Sequence, residues 1–399
     1  MFIKDFLNNM NGKIQNDWRF ESHYGGRRRV RSQKCQASLI IENKELDDSR
    51  YIKEFHLLPL TSYIATVHAV GNNIEVQEGE GHSHIGANIC LFGTWTHSNE
   101  FNDGIGEFDG NLTVKFRTDK TGKVQIGLRL GFWCSEAKGS VTFSDFTLEE
   151  DYSKIVLGAG QIRLDVSNEV LQDNPEILNH AELFLSRIEK VYNSMGVLYS
   201  KFPFDHDVIF YETKDNIHAW AYAGNPIVWN TRCFVDYFNK LDSKKEFSDD
   251  ACFGAIHEIG HNFDMSGFGH INPELFANLN LCYAVEVNNL PIYFDHEETI
   301  GKGLQDGFYR RCYERSIAKG KYHHDGLLFV LLRIKDIIGW DSFRKVFRKY
   351  SNAPINHDKY KKSELLQIFF KELSDASGLD IQDMMLPGEF DLLVKQENY

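Results

Sequence analysis

The sequence predicts a multidomain protein: an N-terminal all-β sandwich of jelly-roll type, then an α+β, mostly helical domain. Three observations lead there. The chain of 399 residues exceeds what one compact core usually spans. Its first part alternates apolar and polar residues with period two, and from about Tyr152 apolar residues recur at helical intervals instead. The expected division is therefore 1–151 and 152–399.

The strands come first. "SYIATVHAV", "NLTVKFRT", "KVQIGLRLGFW" and "SVTFSDFTLEE" are rich in Val, Ile, Thr and Phe and are bounded by Gly, Asn and Asp turns such as "DKTGK". Many short strands without helical periodicity indicate a sandwich or jelly roll. In the second part, "NPEILNHAELFLSRIEKVYNSMG" (Asn174 to Gly196) reads as a helix with Pro near its start and Gly at its stop. "HDVIFYE" alternates as a strand. "AYAGNPIVWN" is extended but carries Gly224 and Pro226, which predicts an edge or terminal strand. "GLLFVLLRIKDIIGW", "SFRKVFRKY" and "KSELLQIFFKELSDASG" are helical.

Composition narrows the function. An apolar fraction of 42% suits a packed globular protein, and a net charge of -13 argues against a nucleic-acid partner. The short basic run "GGRRRVR" fits a solvated face as well as a phosphate or sulfated-glycan contact. Seven cysteines without CxxC or CxC pairs form neither a disulfide framework nor a zinc ribbon. No stretch reaches the length of a membrane span, and the N-terminus lacks a signal-peptide run, so the chain as given reads as cytosolic.

The chemistry concentrates in "GAIHEIGHNFDMSGFGHINPELFANLNLCY", Gly254 to Tyr283. "FSDDACFGAIHEIGHNFDMSGFG" is expected as one helix, capped by Ser248 or Asp249 and stopped by Gly267 and Gly269. On it His257 and His261 lie one turn apart on one face, so both imidazoles reach a single ion. Glu258 projects beside them, placed to take a proton from water that the ion activates. One zinc class needs Gly at 264 and His at 267; this chain has Asp264 and Gly267, which excludes it. For a third ligand two candidates stand: His270, in a Gly-rich connector, and Glu274, which opens a helix behind Pro273. Asn278, one turn beyond Glu274, is placed to accept a hydrogen bond from the far nitrogen of His257 or His261. Two His and one Glu leave an open position for water, the arrangement of a catalytic rather than a structural zinc. The competing reading is an amphipathic helix with two surface histidines.

"HEIGH" and "ELFAN" together resemble the signature of the M60-like (enhancin-like) gluzincin metallopeptidases, His-Glu-x-x-His followed by a distant Glu that opens a helix with Asn four residues on. The resemblance extends upstream to "YAGNPIVWN", similar to the family's Gly-x-Pro-Ile strand, and downstream to "IIGWDSFRKVFRKY", similar to its Gly-Trp-x-x-Phe helix. It covers Lys154 to the C-terminus. It implies one catalytic Zn2+ held by His257, His261 and Glu274, with Glu258 as base and acid. The first part resembles a carbohydrate-binding β-sandwich in the order of its segments. A module of this kind joined to an M60-like domain is similar to proteases that act on glycoproteins such as mucins. The resemblance thus implies a protein or glycoprotein substrate, a glycan on the N-terminal domain, and secreted or cell-surface action.

Further candidates lie elsewhere. A donor for the oxyanion is expected, and "KYHHDG" offers Tyr322, His323 or His324, with Asp325 orienting a histidine. The same residues also suit helix capping. His218, Trp220 and Tyr222 are candidates to line the cleft, and the edge around Gly224 to Val228 to bind substrate backbone by β-addition. Trp18, Trp95 and Trp133 offer faces to sugars or pack in the core. "EGEGHSHIG" is a loop that also holds two His and two Glu. The rival to an enzyme is a non-catalytic glycan- or protein-binding regulator on the same scaffold.

Overall fold

A computed structural model describes residues 14, 17–23, 30–35, 37–59, 61–78, 84–92, 100–118, 121–132, 135–158, 160–205, 207–214, 219–243, 249–294, 298–299, 305–319 and 324–390. The chain forms two compact units: Met1–Val156 with Asp165–Glu169 and Tyr211–Ala219, and Leu157–Leu164 with Val170–Phe210 and Trp220–Tyr399.

The first unit is an antiparallel sandwich. One sheet has six strands in the order Val30–Lys34, Ser38–Asp47, Ala137–Glu150, Ser62–Val76, Gly106–Arg117, Glu100–Phe101. The other has five: Arg19–Ser22, Ser49–His56, Lys123–Leu130, Ala87–Leu91, Asp103–Gly104. Alternation explains the central strand, where Tyr63, Ala65, Val67 and Ala69 are buried and the residues between them face outward. These side chains meet Tyr51, Phe55, Ile89, Ile126 and Leu128 of the other sheet in one core. Trp18 belongs to this core, edge-on to Phe55 and Phe146 and 1% exposed, so it is not a sugar platform. Trp95 and Trp133 lie outside the described residues, as do 25–29 of the basic run and 79–83 of the His-rich loop.

Lys123–Leu130 departs from simple alternation because Arg129 is fully buried. Its guanidinium lies over the Phe132 ring and bonds the Asp48 carboxylate, which neutralises it away from water.

A further five-stranded sheet runs Lys154–Leu157, Ile162–Ser167, Val208–Thr213, Ile227–Asn230, Ala221–Tyr222. Val208–Thr213 is buried along its whole length rather than on alternate residues. Ala221–Tyr222 is the edge, and Ile227–Asn230 is an inner strand, so Gly224 and Pro226 sit in the connection instead of on an edge strand.

Helices make up most of the second unit. Glu176–Tyr199 buries Ile177, Ala181, Phe184, Leu185, Ile188, Val191, Tyr192 and Met195, the stripe its sequence predicts. It runs past Gly196 and ends at left-handed Ser200. Gly196 marks no stop; a Cβ there would lie 2.4 Å from the Phe202 ring, so glycine admits that ring. His324–Asn352 is two helices joined at Gly339 (φ 73, ψ 161), which only glycine adopts readily. Lys362–Ser377 ends at left-handed Gly378. Among the described residues no helix is long and apolar enough to cross a membrane.

Candidate metal centre

The motif helix is shorter than its sequence suggests, Phe253–Asn262. Asp249 and Asp250 do not cap it. The Asp249 carboxylate accepts from Arg187 at 3.2 Å, and buried Asp250 accepts the backbone N–H groups of Cys252 (3.1 Å) and Tyr293 (3.2 Å). The helix then starts from left-handed Cys252. At its far end it gives way to a turn at Phe263, and a separate short 3-10 helix, Phe268–His270, follows Gly267. Ser248 lies outside the described residues.

Two glycines let neighbours approach this helix. A Cβ on Gly254 would meet the Trp220 ring at 2.6 Å, and one on Gly260 would meet the Ala277 carbonyl oxygen at 2.5 Å. Trp220 thus packs on the helix and on Trp229, with ring centroids 4.7 Å apart. The close crossing at Gly260 sets the next helix, Pro273–Asn288, against the histidines. Asn272 caps that helix by accepting the Leu275 N–H at 3.1 Å, and Pro273 occupies its first turn. Buried Asn280 ties the crossing, donating to the Gly260 carbonyl at 2.9 Å and accepting from the Tyr199 hydroxyl at 3.0 Å.

This packing brings His257, His261 and Glu274 together. The two Nε2 atoms lie 3.0 Å apart, and the Glu274 oxygens lie 3.1 Å from His257 Nε2 and 3.5 Å from His261 Nε2. These are the only three or more His, Cys, Asp or Glu groups among the described residues placed to share a metal ion. His270 is not with them. It stacks on His357, ring centroids 3.2 Å apart, because the 3-10 turn carries it away from the motif helix. His257 Nδ1 meets Asn278 Oδ1 at 2.7 Å, and Asn278 Nδ2 donates to Asp325 Oδ1 at 3.2 Å.

The donor set fits a cation. Two Nε2 atoms 3.0 Å apart stand at the separation of an N–H···N hydrogen bond or of two ligands on one cation. A tetrahedral zinc with bonds of about 2.1 Å keeps its nitrogen and oxygen ligands roughly 3.4 Å apart, close to the separations found.

The electrostatics separate the two carboxylates. Burial pushes the Glu258 carboxyl above the ordinary Glu range, while His257, His261 and the Ala223 N–H pull it back. Hydrogen bonds from His257 and His261 hold Glu274 far below that range. Burial works against protonation of His257, but Glu274, Glu258 and Asn278 leave it above the usual imidazole value in the metal-free chain. Tyr222, on the edge strand, is pushed up by burial and then by the Glu258 charge.

The Gly224 backbone is already paired: its N–H donates to Asn262 Oδ1 at 2.8 Å, and its carbonyl accepts from Asn262 Nδ2 at 2.9 Å. It is therefore closed to a substrate strand, and Ala221–Tyr222 beside it is an edge strand of the sheet. Asp325 accepts from the Asn278 amide at 3.2 Å. His218, Tyr322 and His323 lie outside the described residues, and His324 begins a helix. Gly260, Asn262 and Asn280 position the site and were not singled out from sequence. The signal for Gly260 was present, a glycine in the middle of a helix.

A family model described as peptidase M60, enhancin and enhancin-like matches residues 168–384, more than half of the chain. The chain belongs to that family. Its M60 domain is accordingly that of a metallopeptidase. No curated protein matches the chain. Among solved structures it is similar to a functionally unknown conserved protein from Bacillus anthracis str. Ames, at 14% identity and TM-score 0.45, over 86% of this chain and 81% of that one. It is similar to the IMPa metallopeptidase from Pseudomonas aeruginosa at 10% identity and TM-score 0.29, over 88% of this chain and 51% of that one. A CBM4 structure is similar over 35% of this chain and 92% of that one, at 13% identity and TM-score 0.25. At these scores the structural likenesses add nothing to the M60 assignment.

Proposed function

We propose that the M60 domain is a zinc endopeptidase acting on glycoproteins of mucin type. The observation that carries the zinc reading is the convergence of His257 Nε2, His261 Nε2 and Glu274 on one point, with Glu258 on the same helix. Imidazole nitrogens favour zinc over magnesium or calcium, which take oxygen ligands. Three protein ligands also leave a position open for reactants. Zinc bound there polarises the scissile carbonyl and acidifies the attacking water.

The remaining work falls to this chain's side chains. Glu258, with its carboxyl pushed up by burial, accepts the proton of the attacking water and returns it to the leaving amine. The Ala223 N–H holds that carboxylate in place. Tyr222, next along the strand, donates to the oxyanion as it develops. The Ala221–Tyr222 edge pairs with extended substrate backbone. For the substrate class, support comes from the first part's resemblance to a carbohydrate-binding sandwich and from the antiparallel sandwich into which it folds.

The expected results are about one zinc per chain and cleavage of a glycosylated protein in preference to its deglycosylated form. Glu258→Gln is expected to keep the zinc and lose about 10²–10⁴-fold in turnover. A metal-free protein at neutral pH overturns the zinc reading. Equal cleavage of both substrates overturns the glycoprotein reading alone.

A further inference from the structure

An asparagine amide can face a histidine in two ways, with opposite effects on metal binding. With its oxygen toward Nδ1 the amide accepts, the imidazole proton stays on Nδ1, and Nε2 keeps a lone pair for a cation. Turned by half a rotation, the amide offers an N–H to Nδ1. The proton is then held on Nε2, and that nitrogen cannot ligate. The two orientations have nearly the same shape, so apolar packing does not choose between them.

In this chain a third group makes the choice. Asn278 is 3% exposed and Asp325 is 7% exposed, so neither can turn to water for a substitute partner. Asn278 Nδ2 donates to Asp325 Oδ1 at 3.2 Å while Asn278 Oδ1 meets His257 Nδ1 at 2.7 Å. An ionised carboxylate only accepts, so it takes the amide's NH2 end and leaves the oxygen for the histidine. The flipped amide would set its oxygen against the Asp325 carboxylate in a buried place, two acceptors facing each other.

We propose that Asp325 is a positioning residue for the metal centre: through the Asn278 amide it selects the His257 tautomer whose Nε2 can bind zinc. Asp325 touches neither the ion's three ligands nor the reacting atoms in this role. It comes from the first turn of His324–Asn352, so the relay joins three helices: the motif helix, Pro273–Asn288, and this one. The inference rests on the zinc reading above; without metal, Glu274 stands 3.1 Å from His257 Nε2 and competes for the proton, so the tautomer is read with that carboxylate removed.

Two measurements on the full chain test it: zinc affinity by competition with a chromophoric chelator, and the protonated nitrogen of His257 by 15N NMR at pH 9 in the metal-free Glu274→Ala background, where that carboxylate no longer draws a proton to Nε2. Asp325→Ala is expected to weaken zinc binding about 10–100-fold and to convert His257 from one tautomer to a mixture. Exchanging the partners, Asn278→Asp together with Asp325→Asn, preserves volume and restores the order of donors and acceptors. It is expected to return both readouts to near wild type. The proposal is overturned if Asp325→Ala keeps wild-type zinc affinity and the Nδ1–H tautomer. It is equally overturned if the exchanged pair, folded by near-UV circular dichroism, is as defective as Asp325→Ala. A wild-type protein that takes up no zinc, while the tautomer in the Glu274→Ala background still depends on Asp325, overturns the zinc reading instead.

Discussion

Glu258 and Glu274 face the same two imidazoles and are driven in opposite directions. Burial raises the first; hydrogen bonds from both histidines depress the second. One carboxylate is thereby suited to exchanging protons and the other to staying ionised, as a base and a ligand require. Metal binding needs the neutral histidines, so protons and zinc compete for them. The raised pKa of His257 in the metal-free chain starts that competition at a higher pH than a free imidazole would. Zinc affinity is therefore expected to fall as pH drops from 8 to 6, read by chelator competition. Glu274→Ala is expected to lower zinc content sharply at either pH. An undiminished content would remove Glu274 from the ligand set.

Around these residues the lead-in to the motif helix carries a cost of its own. Burial pushes Asp250 up to about 6 from 3.8 while it accepts two backbone N–H groups. A carboxyl whose folded pKa exceeds its unfolded one favours folding at low pH. That contribution is present below the unfolded value and is lost as pH rises through about 6. Roughly two pKa units correspond to about 3 kcal/mol. Asp250→Asn keeps an oxygen for both N–H groups, so it is expected to stabilise the protein by up to that amount at pH 8 and by little at pH 4. Urea unfolding at the two pH values checks this, and equal gains at both would refute it. The same segment shows where sequence reading ran short. Asp249 looked like a helix cap because caps and ion-pair partners use the same residue types. His257, Glu258 and His261 were readable because helical spacing alone puts them together. Asn262 and Asn280 act on partners distant in sequence, and no local periodicity marks them.

The molecule as a whole is two units, each with its own buried residues. The sandwich was legible because alternation over many strands is a long signal; a helix end such as Ser200, hidden by a nearby glycine, is a short one. Ligand linkage acts on the unit that binds. Calorimetry of the zinc-loaded chain is expected to show a chelator lowering the transition in which the M60 domain unfolds. At zinc held 100-fold above its dissociation constant the loss is about 2.7 kcal/mol. A chelator that leaves that transition where it was contradicts this.

Gly260 has a bearing on which metal the protein selects. The Ala277 carbonyl passes 2.5 Å from where a methyl would stand, so backbone contact between two helices sets the span from the histidine pair to Glu274. Gly260→Ala would spread that span without altering any donor atom. Zinc should then bind less well, while a larger ion such as cadmium should lose little or gain. Ion size would then be gauged by how closely two backbones meet, at a residue that chelates nothing itself.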